Sequence, residues 1–183
     1  MNKYPKLYPG DIAGVKGKGV LAKLQSIFVT PKTDRFHHFL IGDYIEDDDD
    51  YVILESINKG IAVGRLSFYK PEDIEIYRLD DPYWMEIGKK AAQALTWYGR
   101  SSYDYMLIIK LFLSIPYLIM KCGMPPWVPE QIPYGRDNSF VCTEAAAVGY
   151  ADIDHRIIPK GVIPMPASFK QALDRGVIKR IFP

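Results

Sequence analysis

The chain has 183 residues, of which 48% are hydrophobic and 25% charged, and its formal net charge is +1 at pH 7. This balance is ordinary for a globular protein and gives no overall electrostatic basis for binding nucleic acid or an anionic membrane. The length suits one domain, so we assign residues 1–183 to a single domain. The two cysteines, Cys122 and Cys142, form no CxxC or cysteine–histidine motif, which argues against a disulfide framework and a zinc site.

The hydrophobic segments of the sequence predict the cellular location of the protein. The first residues contain no long apolar run, so we expect no secretory signal and a cytoplasmic protein. The most hydrophobic stretch, residues 106–120, carries Lys110 and Pro116 and is shorter than the ~20 residues of a membrane-spanning helix. We therefore expect a buried helix there. Because the stretch is apolar nearly all round, contact with an acyl chain or a membrane surface stays open.

The first half of the chain predicts short strands. Alternating or β-branched apolar residues, separated by glycine, proline and acidic turns, indicate strands over residues 11–15, 36–43, 51–57, 61–68 and 74–79. Short turns between successive strands favour an antiparallel meander. The acidic run at residues 46–50 lacks calcium-loop spacing and predicts a solvated hairpin loop.

The second half predicts helices. Helical spacing covers residues 83–98, the apolar stretch 106–120 and residues 166–175, and a further helix begins after Ser139; an earlier helix is expected over residues 20–29. Four prolines make residues 123–133 a loop, and residues 177–182 resemble a strand. Strands followed by helices predict an α+β fold.

Cys142 is the candidate nucleophile. Asp137, Asn138 and Ser139 are all helix N-cap residue types, so Cys142 falls in the first turn of the predicted helix. Free backbone N–H groups and the helix dipole favour a thiolate there. The alternative is that Cys142 is a small apolar residue on a buried helix face.

A thiol nucleophile needs a base, and the chain contains three histidines. His37 and His38 are adjacent on a predicted strand, so they point to opposite faces, whereas the turn-like sequence around His155 predicts a surface residue. Glu55 interrupts an apolar strand. A buried carboxylate needs a partner, and a histidine on the neighbouring strand would serve, unless Glu55 faces solvent.

The order of five short motifs resembles a known family. These are P-G-D-I-A-G-V-K-G-K-G from residue 9, F-H-H-F-L-I-G-D from 36, V-I-L-E-S-I-N-K-G-I from 52, S-Y-D-Y from 102 and S-F-V-C-T-E-A from 139. Together they resemble the circularly permuted branch of the NlpC-type papain-like cysteine hydrolases, the YiiX/YebB-like group. The resemblance implies a permuted papain-like fold, with an antiparallel sheet or half-barrel packed against helices.

The resemblance also implies site residues. Cys142 would be the nucleophile, His38 the general base and Glu55 the residue that orients His38, while Tyr103 and Asp104 match a Tyr-Asp pair of the family and are assigned to substrate binding. The usual Ser-His-Val-Gly is His37-His38-Phe39-Leu40 here, so the choice between the histidines rests on strand register.

The expected function is a thiol hydrolase that acts on a peptide amide or a lipid acyl group through a thioester, without metal or cofactor. An acyltransferase with the same residues is one alternative. The other is a non-catalytic scaffold that binds lipid or peptide, for which the aromatic loop at residues 127–134 would form a rim. The oligomeric state is left open.

Overall fold

The computed structural model describes residues 3–17, 27–57, 60–99, 113–132, 142–151 and 153–183, with the side chains of residues 142–144 and 151 left out. Its strands are β1 (Ile12–Lys16), β2 (Arg35–Ile45), β3 (Asp50–Ile57), β4 (Gly60–Arg65), β5 (Ile74–Leu79) and β6 (Ile178–Phe182). Its helices are α1 (Trp84–Thr96), α2 (Ile115–Cys122), α3 (Cys142–Ala151) and α4 (Pro166–Asp174).

The six strands form one antiparallel sheet in the order β4-β3-β2-β1-β5-β6. The first four strands are a meander, in agreement with the sequence. β5 leaves that meander: it pairs with β1 instead of β4, as Ile12 lies opposite both Leu40 of β2 and Tyr77 of β5. β1 is therefore an interior strand, and its neighbour β2 carries both histidines of the predicted site.

The two faces of the sheet have different coverings. One face packs against α1, α3 and α4 through a cluster that includes Ile12, Leu40 and Leu54 with the alanines of α3. The other face, with Phe39 and Ile53, packs against the chain's N-terminal segment and short loops instead of a helix among the described residues. Neighbouring residues on a strand thus enter different environments.

The start of β1 meets α1 and α3 at one point. A Cβ atom at Gly10 would lie 2.2 Å from the Cα of Gly88 in α1, so neither position has room for a side chain. The hydroxyl of Tyr150 in α3 donates to the Gly10 carbonyl oxygen at 2.5 Å. The start of β1, helix α1 and helix α3 therefore meet at the backbone of Gly10.

Most of the predicted elements are confirmed within the described residues. The acidic run forms a short 3-10 turn at Glu46–Asp48, and residues 66–68 form another 3-10 turn instead of extending β4. The helices expected over residues 20–29 and 106–120 lie mostly outside the described residues. In the described ranges, no helix combines the length and apolar character needed to cross a membrane.

Candidate functional site

His38 lies on the helix-covered face of the sheet and is 1% exposed. Its ring stacks on Phe169 of α4, with ring centroids 4.4 Å apart and an interplanar angle of 12°. Its Nδ1 atom is buried and has no hydrogen-bond partner within the described part of the chain. Buried polar atoms are normally paired, so an unpaired imidazole nitrogen needs an explanation.

Gly14 makes room for this imidazole. It lies opposite His38 in the β1–β2 ladder, and a Cβ atom there would lie 3.1 Å from His38 Nε2 and 3.2 Å from Arg35 Cβ. A glycine inside a strand often marks a close approach of this kind. The missing side chain allows the histidine and the arginine stem to pack directly on the β1 backbone.

The environment keeps His38 neutral. Burial, followed by the charges of His37 and Arg35, lowers the pKa of His38 from 6.5 to about 3. At neutral pH the ring therefore carries one proton, and its other nitrogen can accept one.

A buried ion cluster lies beside His38. Arg35 is 7% exposed, and its Nη2 atom donates to Glu75 Oε1 at 2.9 Å. The other oxygen of Glu75 accepts from the Tyr77 hydroxyl at 2.5 Å and lies 3.4 Å from Arg180 Nη2. The Nε atom of Arg35 is buried without a partner in the described residues. The cluster thus holds a cation next to the neutral imidazole.

His37 and Glu55 pair on the opposite face of the sheet. His37 Nε2 lies 2.7 Å from Glu55 Oε2, which also accepts from the Tyr69 hydroxyl at 2.6 Å. The sequence-based assignment made Glu55 the orienting partner of His38, but the structure gives it to His37. Alternation explains the difference, because His37 and His38 leave β2 in opposite directions. Glu55 thus has a histidine partner on the neighbouring strand, as expected, but that partner is His37.

Glu55 is a carboxylate in this cluster. Burial raises its pKa, but the hydrogen bonds from His37 and Tyr69 outweigh burial, so its pKa lies below the ordinary 4.5. With the carboxylate ionised, Nε2 of His37 must carry the proton that it donates. Ser56 follows Glu55 on β3 and therefore points to the opposite face of the sheet, the one that holds His38. It is 1% exposed.

Cys142 is the first residue of α3, where the sequence predicted the start of a helix. α3 packs against β2 and β3 on the face that holds His38. The Cys142 side chain is outside the described residues, as are Tyr103 and Asp104 altogether. The structure therefore describes the histidine and the helix backbone of the predicted site, and not the thiol.

The structure also locates the remaining residues that the sequence singled out. His155 is exposed, as predicted. Trp127 belongs to the loop that would form a binding rim in the scaffold alternative or else cover the core; it is 2% exposed and stacks on Phe28 at 5.9 Å, so it covers the core. Cys122 is a free thiol, partly buried. Among the described residues, no group of three His, Cys, Asp or Glu side chains could hold a metal ion.

Four neighbours of His38 were not predicted from the sequence: Gly14, Arg35, Glu75 and Phe169. One signal was present: Gly14 interrupts an otherwise regular strand, which indicates a close approach. The other three come from β2, β5 and α4, and no local pattern predicts that they meet.

Three comparisons bear on family membership. Searches against protein-family models, curated proteins and solved structures found no match. The functional assignment therefore rests on the site's own geometry and on the motif resemblance.

Proposed function

We propose that the chain is a thiol hydrolase with a permuted papain-like, NlpC-type fold, in which Cys142 is the nucleophile and His38 the general base. The observation that carries the proposal is the buried imidazole of His38, whose Nδ1 has no partner in the described residues. It lies on the sheet face against which the helix that begins at Cys142 packs.

The energetic cost of His38 supports a functional role. A buried polar atom without a hydrogen bond costs about 1–3 kcal/mol. A purely structural residue stacked on Phe169 would need no polar nitrogen, and phenylalanine would fill the same space. Departures from favourable packing of this kind are expected at functional sites.

The anchoring of α3 supports the pairing with Cys142. A Cβ atom at Gly149 would lie 2.8 Å from Leu40 Cδ1, so the last turn of the helix lies over Leu40 of β2. Tyr150 reaches Gly10, whose N–H donates to the Ile41 carbonyl. The helix contacts both β2 and β3, and we infer that its first turn, about 10 Å back along the axis, lies on the same face of the sheet as His38.

In each half of the mechanism, His38 first accepts a proton as the neutral imidazole and then donates it as the imidazolium. His38 accepts the proton of the Cys142 thiol as the sulfur attacks the substrate carbonyl, and it then donates that proton to the departing amine or alcohol. Water, deprotonated by His38, cleaves the thioester; the acid is released and Cys142 regains its proton. Backbone N–H groups at the start of α3 are suited to stabilise the oxyanion.

The substrate class follows from the resemblance: a peptide amide or a lipid acyl ester or amide. Acyl transfer to an amine or alcohol in place of water would use the same residues. One observation favours the second candidate, a non-catalytic scaffold that binds lipid or peptide: the carboxylate of Glu55 is engaged by His37.

Alkylation by iodoacetamide against pH tests the proposal, with Cys122→Ser in every protein so that Cys142 alone reports. A thiolate beside His38 would raise the pKa of the imidazole and let it hold the thiol proton. We therefore expect Cys142 to react with a midpoint below the ~8.5 of a free thiol and His38→Gln to return the midpoint to that value. The comparison variant His37→Gln alters the adjacent histidine on the other face; since His37 contributes to the low pKa of His38 but leaves the imidazole in place, this variant should keep a midpoint below that of a free thiol. An ordinary midpoint in the unsubstituted site would exclude the hydrolase and favour the scaffold.

A further inference from the structure

Helix α2 is apolar on both its buried and its exposed sides. Ile115, Leu118 and Cys122 pack into a small core cluster with Val29 and Trp127. On the other side, large apolar side chains are exposed to solvent: Leu113 (75%), Tyr117 (46%), Ile119 (37%), Met120 (83%) and, just after the helix, Met124 (75%). A helix that is hydrophobic all round is typical of one with an apolar environment on both sides.

Tyr117 and Met120, three residues apart, lie on one face of α2. Leu113 precedes the helix by two residues and Met124 follows it by two residues, and both are exposed. We call Leu113, Tyr117, Met120 and Met124 the α2 apolar stripe. Contiguous exposed apolar side chains of this size mark an interaction surface.

The charged residues that flank the stripe in the sequence are lysines. Between Asp104 and Glu130 the sequence has two lysines, Lys110 and Lys121, and no acidic residue. The ammonium of Lys121 lies 5.6 Å from the centroid of the Tyr117 ring. Apolar side chains bordered by lysine and tyrosine suit the boundary between anionic lipid headgroups and acyl chains.

The size of the stripe argues against a second protein copy as its occupant. α2 spans about 12 Å at 1.5 Å per residue, and the stripe has four side chains. A stable protein interface uses roughly 20 to 30 residues on each side. A lipid surface requires no matching partner, since shallow insertion of a few apolar side chains gives reversible binding.

We propose that the α2 apolar stripe docks the protein on an anionic lipid bilayer surface. Leu113, Tyr117 and Met120 enter the boundary between headgroups and acyl chains, and Lys121 contacts the anionic headgroups. The proposal does not depend on the chemistry of Cys142, so a Cys142→Ala variant should bind lipid like the natural chain.

Vesicle flotation of the full chain tests the proposal, with phosphatidylcholine vesicles prepared with and without phosphatidylserine. We expect the protein to float with the anionic vesicles and to be released by added salt. Met120→Glu should lower the partition coefficient by roughly tenfold or more, because a methionine side chain that enters the bilayer is replaced by a charged one. Lys121→Gln should weaken binding to the anionic vesicles alone.

Val63→Glu is the matched control, since Val63 is an apolar residue of β4 that is 72% exposed. It should float like the natural chain. Met120→Gln serves if the glutamate variant fails to fold, as judged by circular dichroism. The proposal is overturned if the natural chain does not float with anionic vesicles, or if Val63→Glu reduces flotation as much as Met120→Glu. It is also overturned if light scattering shows a dimer that Met120→Glu dissociates, which would make a second copy the occupant.

Discussion

His37 Nε2 lies 2.7 Å from Glu55 Oε2, while His38, the next residue, is buried on the other face of the sheet against Phe169. One peptide bond thus separates a histidine held by a carboxylate from a histidine whose Nδ1 is unpaired in the described residues. The first arrangement stabilises the sheet, whereas the second is available for proton transfer. The two histidines can be substituted separately because their rings contact different side chains on opposite faces of the sheet.

Glu55→Gln should destabilise the protein without changing the thiol. The variant loses a charged acceptor for His37 and Tyr69, and we expect the free energy of unfolding at pH 7 to fall by about 1–3 kcal/mol in urea titrations. The pKa of Glu55 is lowered in the fold, so its contribution is present above about pH 4.5 and is lost as pH falls through the folded pKa.

The alkylation midpoint of Cys142 should be the same in Glu55→Gln as in the natural chain. A midpoint that moves towards that of a free thiol would show instead that Glu55 acts on the base of the thiol, as the family resemblance implied.

His38→Phe should make the fold more resistant to acid. The pKa of His38 falls from 6.5 to about 3 on folding, so between these pH values the unfolded chain binds a proton that the folded chain does not. Acid therefore destabilises the natural protein by up to ~1.4 kcal/mol per pH unit below pH 6.5. The variant lacks this term, and thermal melting at pH 5 and pH 7 should show a smaller difference for it.

The same variant should lose the lowered alkylation midpoint of Cys142, because phenylalanine accepts no proton. A stability gain with loss of reactivity is the expected trade-off at a functional site. An unchanged pH dependence of stability would mean that His38 is protonated in the fold, and would contradict the environment described above.

Gly14→Ala should disturb His38 selectively. The added methyl group would lie 3.1 Å from His38 Nε2, so the ring must shift by a few tenths of an ångström. We expect a higher alkylation midpoint for Cys142 and a stability loss of about 1–3 kcal/mol from overpacking.

Gly64→Ala is the matched control for Gly14→Ala. Its methyl group would lie 3.1 Å from Glu55 Oε1 on the other face of the sheet. It should cost comparable stability and leave the alkylation midpoint unchanged. Equal effects of the two alanines on the midpoint would remove the argument that Gly14 positions His38.

Arg35→Met should raise the pKa of His38. The Arg35 charge is one of the causes that lower this pKa, after burial and His37, so its removal moves the pKa upward while burial keeps it below 6.5. NMR titration of the imidazole carbon protons measures the shift. The variant should also lose about 3 kcal/mol of stability, since the partly buried Glu75 loses its closest cation.

Arg180→Met provides the comparison for Arg35→Met. Arg180 also contacts Glu75, at 3.4 Å, but from a half-exposed position, and it is not among the causes that lower the pKa of His38. A similar His38 titration in both arginine variants would show that the effect passes through Glu75 and not through the neighbouring charge.

The sequence predicted the local elements well, because alternation and helical spacing record which residues are buried. It did not predict that β5 pairs with β1, since strand partners depend on tertiary packing. The choice of histidine rested on register: a shift of one residue exchanges the faces of His37 and His38. Arg35, Glu75 and Phe169 were missed because they meet His38 only after β5 and α4 have packed.

The contact between Gly10 and Gly88 lies where the C-terminal end of α3 is attached to the sheet. Their backbones touch where Tyr150 fastens the last turn of α3. A helix is stiff over ten residues, so a displacement at its final turn is transmitted along its whole length. In the proposed site, the position of the first turn of α3 would therefore depend on contacts at the opposite end of the helix, made by two residues that have no side chain of their own.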